Sequence, residues 1–405
     1  MPGPSSFCLR PRDLRRGAAL TLVFLVAVGT AASTGCWDFD TPADTAGPAA
    51  ALIARRADAP GQGSGTPAAP RAAGTADREA VVRAAAEAAA AGESGKNAAQ
   101  EVVSRSGDRW GAVYDRGEYE TFAEDLDGRW TGVGLWARSR EDGRVEIDRV
   151  QPGGPAARAG LRAGDRLLSV DGRDVTGRPV REVVALLRGA AGTSVALGLT
   201  RDGAGLARTL LREELRAEPV TVRELADGTT VIKVASFTRG SGERVRAAVR
   251  AAPPGSGVML DLRGNTGGLV TEAVTAAAAF LDGGLVATYD VRGTQHALYA
   301  PPGGDTDRPL VALVDGGTMS AAELVTGALQ DRGRAVTVGS RTFGKGSVQM
   351  PTELPDGSVA ELTVGTYRTP GGRSLDGGGI TPDLAAADGV EDRARTVLGG
   401  LGVGP

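Results

Sequence analysis

A strand, turn and helix pattern followed by a glycine-rich loop most constrains how this chain folds. Residues 311–351 read VALVDGGTMSAAELVTGALQDRGRAVTVGSRTFGKGSVQMP. A short apolar run is broken by two glycines, and apolar residues at helical spacing then continue until Gly333. The pattern predicts strand, tight turn, helix, strand, glycine loop and strand. Ser320 therefore stands where the predicted helix begins.

Ser320 has two interpretations at this position. Most serines at helix starts only cap backbone N–H groups. The same place suits a nucleophile, because unpaired N–H groups and the positive end of the helix dipole favour an oxyanion beside it. A serine nucleophile needs a base, so the choice depends on the bases that the chain contains.

Few residues in this chain are suited to act as that base. The single histidine, His296, lies far from any glycine turn or acidic motif, which favours a surface or core role over a catalytic triad. Only three of the 46 basic residues are lysines. Unlike arginine, a lysine amine buried in an apolar pocket can lose its proton near neutral pH. Lys96 and Lys233 have polar or alternating neighbours, and we expect both to be solvated.

Lys345 has a different setting from the other two lysines. It stands between two glycines in TFGKGSVQM and enters a predicted strand on which Lys345, Ser347 and Gln349 share one face. The Gln349 side-chain carbonyl is thereby predicted to hold the lysine amine. A phosphate-binding loop is rejected, because Gly346 stands where GxxxxGK[ST] requires a hydroxyl and a strand follows in place of a helix.

Four motifs, in this order, resemble those of the C-terminal processing peptidases, the tail-specific serine proteases of family S41. The motifs are DLRGNTGG at 261–268, TMSAAE at 318–323, TFGKGSVQ at 342–349 and GGITPD at 378–383. Together they form a specific signal. The resemblance covers residues 77–390 and implies Ser320 as nucleophile, Lys345 as general base and Gln349 as the group that orients the lysine.

The resemblance also implies an oxyanion hole made by the backbone N–H groups of Gly267 and Ala321. Thr266 stands where the family often has proline, so Gly268 remains an alternative to Gly267. Asp261, Arg263 and Glu323 are predicted to be structural, as ion pairs or caps.

A PDZ-like segment precedes these motifs. Residues 128–203 contain WTGVGLWAR and GDRLLSVDG and predict strands with two short helices. The segment GVGL at 132–135 resembles the PDZ loop whose N–H groups hold a chain-terminal carboxylate while the peptide adds as a strand. A glycine pair in a strand is by itself often only a bulge. The residues predicted to bind peptide are Gly132, Val133, Gly134, Leu135 and Arg188.

Alternating strand and helix patterns from Glu214 onward predict a sheet covered by helices, an α/β or α+β arrangement. The family resemblance refines this to a core of the ClpP/crotonase ββα-superhelix type with an inserted PDZ domain. The predicted divisions are 1–36 signal peptide or anchor, 37–76 flexible linker, 77–127 helical region, 128–203 PDZ domain and 204–400 protease core.

The first 36 residues have the features of an export signal. Four arginines precede an uncharged run, 17–35, with an apolar centre. Cys36 is a candidate for lipidation, although Ser33 stands where leucine is usual. Lipidation, an uncleaved membrane anchor and simple secretion remain open, and each places the catalytic part outside the cytoplasm.

Composition excludes several classes of protein. The net charge is −3 with both signs interspersed, which gives no indication of a nucleic-acid partner. Both cysteines, Cys8 and Cys36, lie in the leader, and one histidine cannot form an HExxH zinc site. We therefore expect no cofactor and no metal. The expected partners are proteins or peptides with free C-termini and the membrane, while an activating adaptor is not identifiable.

Two other functions remain open on the sequence alone. One is a catalytically inactive PDZ scaffold at the cell envelope, which would be expected to have lost the serine or the lysine. The other is a crotonase-like acyl-CoA enzyme, which predicts neither an export signal nor a PDZ domain.

Overall fold

The computed structural model describes residues 75–402 except 141 and 292–293. The predicted leader with Cys36, and the predicted linker up to residue 74, lie outside the described residues. No helix in the part that is described combines the length and the apolar character needed to cross a membrane.

The described part of the chain begins with a small helical region that is built into the main body. Its elements are α1 (Arg78–Ala90), α2 (Gly95–Ser106), β1 (Ala112–Tyr114) and α3 (Arg116–Leu126). Asp77, Ser94 and Asp115 cap the three helices with side-chain oxygens, as short polar residues at these positions favour. Strand β1 pairs antiparallel with β18 (Val359–Arg368), so this region contributes one strand to a sheet of the core.

The second unit is an antiparallel sheet with two short helices, in agreement with the predicted PDZ domain. The strands lie in the order β3-β4-β5-β7-β8, and β6 pairs with β5. The elements are β3 (Leu135–Ser139), β4 (Val145–Val150), α4 (Pro155–Arg158), β5 (Arg166–Val170), β6 (Arg173–Asp174), α5 (Val180–Leu187), β7 (Ser194–Arg201) and β8 (Ala204–Leu211).

The sheet of this unit extends past the boundary predicted at residue 203. All eight residues of β8 pair with β7, and Leu210 is buried in the apolar core of the unit. A two-residue hairpin turn at Asp202 and Gly203, both with positive φ, connects the two strands. Residues 204–211 therefore belong to the PDZ unit and not to the core that follows it.

A two-stranded ribbon joins the PDZ unit to the rest of the chain. Strands β2 (Arg129–Gly132) and β9 (Glu213–Arg216) lie before and after the unit and pair antiparallel. The two ends of the unit are therefore adjacent, which is the geometry of an inserted domain.

The core contains a six-stranded sheet in the order β10-β11-β12-β15-β16-β19. All neighbours are parallel except β10 with β11. Every residue of β12 and β15 is buried, as expected for strands covered by helices on both faces. The strands are β10 (Val220–Glu224), β11 (Thr230–Val234), β12 (Val258–Asp261), β15 (Leu310–Val314), β16 (Val336–Gly339) and β19 (Leu384–Ala385).

Four helices cover this sheet. Residues of α6, α7 and α8 share one large apolar cluster, and α9 packs in a separate cluster with the alternate side chains of the strands. The helices are α6 (Ser241–Ala251), α7 (Val270–Ala277), α8 (Ala321–Asp331) and α9 (Val390–Gly400). The strand, turn and helix predicted around Ser320 are thus confirmed as β15 and α8.

A second, antiparallel sheet packs beside the first in the order β1-β18-β13-β14, with β17 also pairing with β18. Its remaining strands are β13 (Leu285–Val291), β14 (Thr294–Tyr299) and β17 (Ser347–Glu353). Ser320 follows a strand of the first sheet, whereas Lys345 leads into a strand of the second. The predicted fold class, an α/β core with an inserted PDZ domain and a helical N-terminal region, is confirmed.

Candidate active site

Ser320 occupies a strained backbone position immediately before α8. Its φ is 54° and its ψ is −119°, and its side chain is almost fully buried. The only other non-glycine residues with positive φ in the described part of the chain, Asp171 and Asp202, are exposed and precede glycines in turns. A buried non-glycine residue held in this region has to be fixed by its surroundings, and such positions are concentrated at functional sites.

Glu323 connects two loops by hydrogen bonds. The serine loop precedes α8 and ends in Ser320, and the lysine loop precedes β17 and contains Lys345. One carboxylate oxygen accepts the backbone N–H of Ser320 at 2.9 Å and that of Lys345 at 2.8 Å. The other oxygen accepts the N–H of Gly344 at 2.7 Å and the hydroxyl of Thr342 at 2.6 Å. The backbone nitrogens of Ser320 and Lys345 therefore lie within two hydrogen-bond lengths of each other. The structural role predicted for Glu323 is this connection.

The Glu323 carboxyl is fully buried beneath these four donors. Burial raises the pKa of Glu323, while the hydrogen bonds from Thr342, Gly344, Lys345 and Ser320 act in the opposite direction. A carboxylate that accepts four hydrogen bonds fixes its donors more firmly than a neutral group would, because charge-assisted hydrogen bonds are stronger.

Lys345 is buried to the same degree as Ser320, with 1% of its surface exposed. Burial lowers the pKa of Lys345 to about 7, although the charges of Asp108 and Glu323 act to raise it. The amine lies 4.8 Å from the centre of the Trp110 ring. A pKa lowered toward neutrality allows this amine to lose its proton and so to accept one from another group.

The other two lysines and the histidine have different environments. Lys96 forms an ion pair with Glu118, and Lys233 is 44% exposed beside Asp261. His296 is exposed on β14 and stacks on Tyr289, with ring centres 5.0 Å apart. None of the three belongs to the group of residues around Ser320.

Gln349 does not make the predicted contact with the lysine amine. Its side-chain carbonyl oxygen is buried and accepts no hydrogen bond within the described residues, and its amide nitrogen lies 3.4 Å from the Ser347 hydroxyl. Strand β17 begins only at Ser347 and carries a bulge between Val348 and Gln349. The bulge interrupts the simple alternation on which that prediction was based.

The structure favours Gly268 over Gly267 as the oxyanion donor. The N–H of Gly267 already donates to the Asn265 side chain at 2.8 Å. The N–H of Phe237 donates to the carbonyl of Gly267, and the carbonyl of Phe237 accepts the N–H of Leu269. The N–H of Gly268, which lies between these two groups, therefore points away from Phe237. A side chain at Gly268 would clash with the Phe237 carbonyl oxygen.

Ala321 is the first residue of α8 and is completely buried. Its N–H is one of the donors at a helix N-terminus that have no partner inside the helix. Gly268, the alternative that the sequence left open, and Ala321 are therefore the candidate donors to an oxyanion.

The predicted carboxylate loop borders a cavity between the PDZ unit and the main body. The cavity is lined by residues of the loop, of α5 and of the ribbon, including Trp130, Trp136, Val184, Leu187 and Arg188. Within the loop, Gly134 has a φ of 75°. The apolar walls of the cavity fit an apolar side chain.

Arg188 pairs with a carboxylate of the protein itself. Its guanidinium lies 3.4 Å from the Asp125 carboxylate at the end of α3. Burial raises the pKa of Asp125 to about 6, against the opposing charge of Arg188. Arg188, which was predicted to bind peptide, thus contacts the helical region in this structure.

Comparison with known proteins identifies the class of protein that this fold and site define. The model of peptidase family S41 matches residues 228–386, and that of the PDZ domain matches residues 146–201. The solved structure of a photosystem II D1 C-terminal processing protease has a TM-score of 0.51 and 30% sequence identity. That alignment covers 75% of this chain and 86% of the other.

Two curated relatives give the same result. Carboxy-terminal processing protease CtpA of Bacillus subtilis is 32% identical over 284 residues, which are 69% of this chain and 61% of the relative. A carboxyl-terminal-processing protease of Synechocystis is 35% identical over 276 residues, 66% of this chain and 65% of the relative. The chain thus spans a little under two thirds of the length of these relatives. It belongs to peptidase family S41.

Proposed function

We propose that this chain is a serine endopeptidase that uses Ser320 as nucleophile and Lys345 as general base. The observation that carries the proposal is the burial of Lys345 on a loop that Glu323 connects to the serine loop. Burial lowers the pKa of the amine to about 7. A base is most effective when its pKa lies near the working pH.

The chemistry follows from these positions. The uncharged Lys345 amine takes the Ser320 hydroxyl proton as the oxygen attacks the substrate carbonyl, and the N–H groups of Gly268 and Ala321 hold the resulting oxyanion. The lysine ammonium then gives its proton to the leaving amine. Water, activated by the same amine, hydrolyses the acyl-enzyme. Gln349 is assigned the role of accepting a hydrogen bond from the lysine once substrate is bound.

Proteins with free C-termini are the proposed substrates. The GVGL loop and the apolar cavity beside it support this, and two relatives are named carboxy-terminal processing proteases. The arginine-rich start and apolar run of the leader support a location outside the cytoplasm, held at the membrane or secreted. Activity against peptides distinguishes this proposal from a PDZ scaffold.

The direct test is covalent labelling of the full-length chain by a fluorophosphonate, which reacts with activated serines. We expect one label, at Ser320, with none in the Ser320→Ala variant. Labelling at another serine, or none at all in the wild type, would contradict the proposed mechanism and favour the scaffold.

Amidation of a substrate's C-terminus is expected to slow its cleavage by about tenfold or more. The change removes the charge that the N–H groups of the loop would bind, and one charge-assisted hydrogen bond contributes about 1.5–3 kcal/mol. The measurement is the ratio of kcat/KM for matched free-acid and amidated peptides. Equal values would show that this loop does not read the C-terminus.

Glu323→Gln is expected to reduce the labelling rate of Ser320 by about 10²-fold. The amide replaces one acceptor oxygen with an NH₂ group that faces other donors, and small displacements of catalytic groups cost rate factors of this order. Glu353→Gln, at an exposed position of β17, is the matched control and should have no effect. An unchanged rate in a folded Glu323→Gln protein would show that the connection does not position the two loops.

A further inference from the structure

Trp110 covers the amine of Lys345 from a different part of the chain. It lies in the loop between α2 and β1, in the helical N-terminal region. Its ring centre is 4.8 Å from the Lys345 nitrogen and 5.9 Å from the ring centre of Phe343, two residues before the lysine. The Arg109 guanidinium lies 4.4 Å from the ring centre of Trp110. The indole is therefore held against the lysine loop.

Asp108 fixes the loop that carries this tryptophan. Its buried carboxylate accepts the N–H groups of Trp110 and Gly111, at 3.2 Å and 2.9 Å. It also accepts the N–H and the hydroxyl of Thr363 on β18, at 2.9 Å and 2.7 Å. Strand β18 also pairs with β17, the strand that follows Lys345. The tryptophan loop and the lysine loop are therefore both attached to this sheet.

The charges around Lys345 do not by themselves account for an uncharged amine. Asp108 and Glu323 favour the ammonium, and Arg109 opposes it. The pKa of Lys345 is nevertheless low, because burial outweighs the two acids. Groups that exclude water from the amine are thus the main determinant of its protonation.

We propose that Trp110 is a positioning residue that excludes water from the Lys345 amine, so that the helical N-terminal region becomes part of the catalytic machinery. This inference rests on the proposed function, in which Lys345 is the base. It assigns a role in the chemistry to a segment that the sequence predicts only as a helical region.

Two effects of the indole on Lys345 act in opposite directions. The ring face attracts an ammonium, which would raise the pKa of the lysine, whereas exclusion of water lowers it. Burial is the largest cause of the shift of the Lys345 pKa. Removal of the ring is therefore expected to raise the pKa of the base.

The test measures the rate of fluorophosphonate labelling of Ser320 in the full-length chain from about pH 6 to about pH 10, a range that spans the buried and free values of a lysine. The wild-type profile should rise with a midpoint of about 7. In Trp110→Ala the midpoint should move up by about one unit or more. Labelling near pH 7 then falls about tenfold and recovers in alkaline solution.

Two further variants separate this role from a structural one. Trp110→Phe keeps a ring over the amine and should retain a midpoint close to that of the wild type. Tyr119→Ala removes a ring from the same helical region, where it contacts Tyr114 and Phe122 away from Lys345, and should leave the midpoint unchanged. The midpoint reflects the shape of the profile and does not depend on the fraction of folded protein.

A Trp110→Ala midpoint equal to that of the wild type, or below it, would overturn the inference while leaving Lys345 as the base. A wild-type chain that is not labelled at Ser320 at any pH would instead overturn the proposed function. The two failures are thus distinguishable in one experiment.

Discussion

Replacement of Ser320 by alanine is expected to reduce peptide-bond hydrolysis by roughly 10⁴-fold or more, since losing a nucleophile removes the covalent pathway. The methyl group of alanine cannot attack a carbonyl carbon. The measurement is kcat/KM for cleavage of an unstructured protein such as casein. The thermal unfolding midpoint should stay close to that of the wild type, because the side chain loses only one oxygen atom.

Ser340→Ala is the matched control for this prediction. Ser340 is exposed in the loop after β16, and we expect its replacement to leave cleavage unchanged. Normal turnover by Ser320→Ala would move the nucleophile to another residue. Equal losses in both variants would indicate a general effect on folding.

Lys345→Arg is expected to reduce cleavage by roughly 10²-fold or more, the usual contribution of a general base. Arginine keeps a positive charge but does not give up its proton in proteins, so it cannot take one from Ser320. Since only the uncharged lysine is active, wild-type activity should rise with pH through about 7 as the Lys345 ammonium loses its proton. The measurement is kcat/KM as a function of pH for both proteins.

Two matched variants are the controls for this prediction. Lys233→Arg changes a half-exposed lysine beside Asp261, and His296→Ala removes the exposed histidine of β14. Both should retain nearly full activity. A reversed pattern, with His296 essential and Lys345 dispensable, would disprove the Ser/Lys assignment. A Lys345→Arg loss accompanied by a collapse of the unfolding midpoint would call for Lys345→Met as a neutral replacement.

The amino-acid sequence alone was sufficient to predict the local elements of the site. The apolar run, the glycine turn and the helical spacing act over a few neighbouring residues, and they placed Ser320 at the start of α8. The scarcity of lysine in a chain that otherwise uses arginine singled out Lys345 as the candidate base. The apolar strands likewise predicted a sheet buried by helices, and the PDZ unit was recognised from its GVGL loop and its GDRLLSVDG segment.

The contacts among the candidate site residues were decided only by the tertiary structure. Glu323 was predicted to be structural, but its hydrogen bonds to both the serine loop and the lysine loop require α8 to meet the glycine loop. The choice of Gly268 over Gly267 depends on pairing with Phe237, and the unbonded Gln349 carbonyl depends on a bulge. Capping and hydrophobic periodicity depend on residues close together in the chain, so they can be predicted from the sequence. Desolvation of Lys345 depends on atoms such as the Trp110 ring, which only folding brings within reach of the amine.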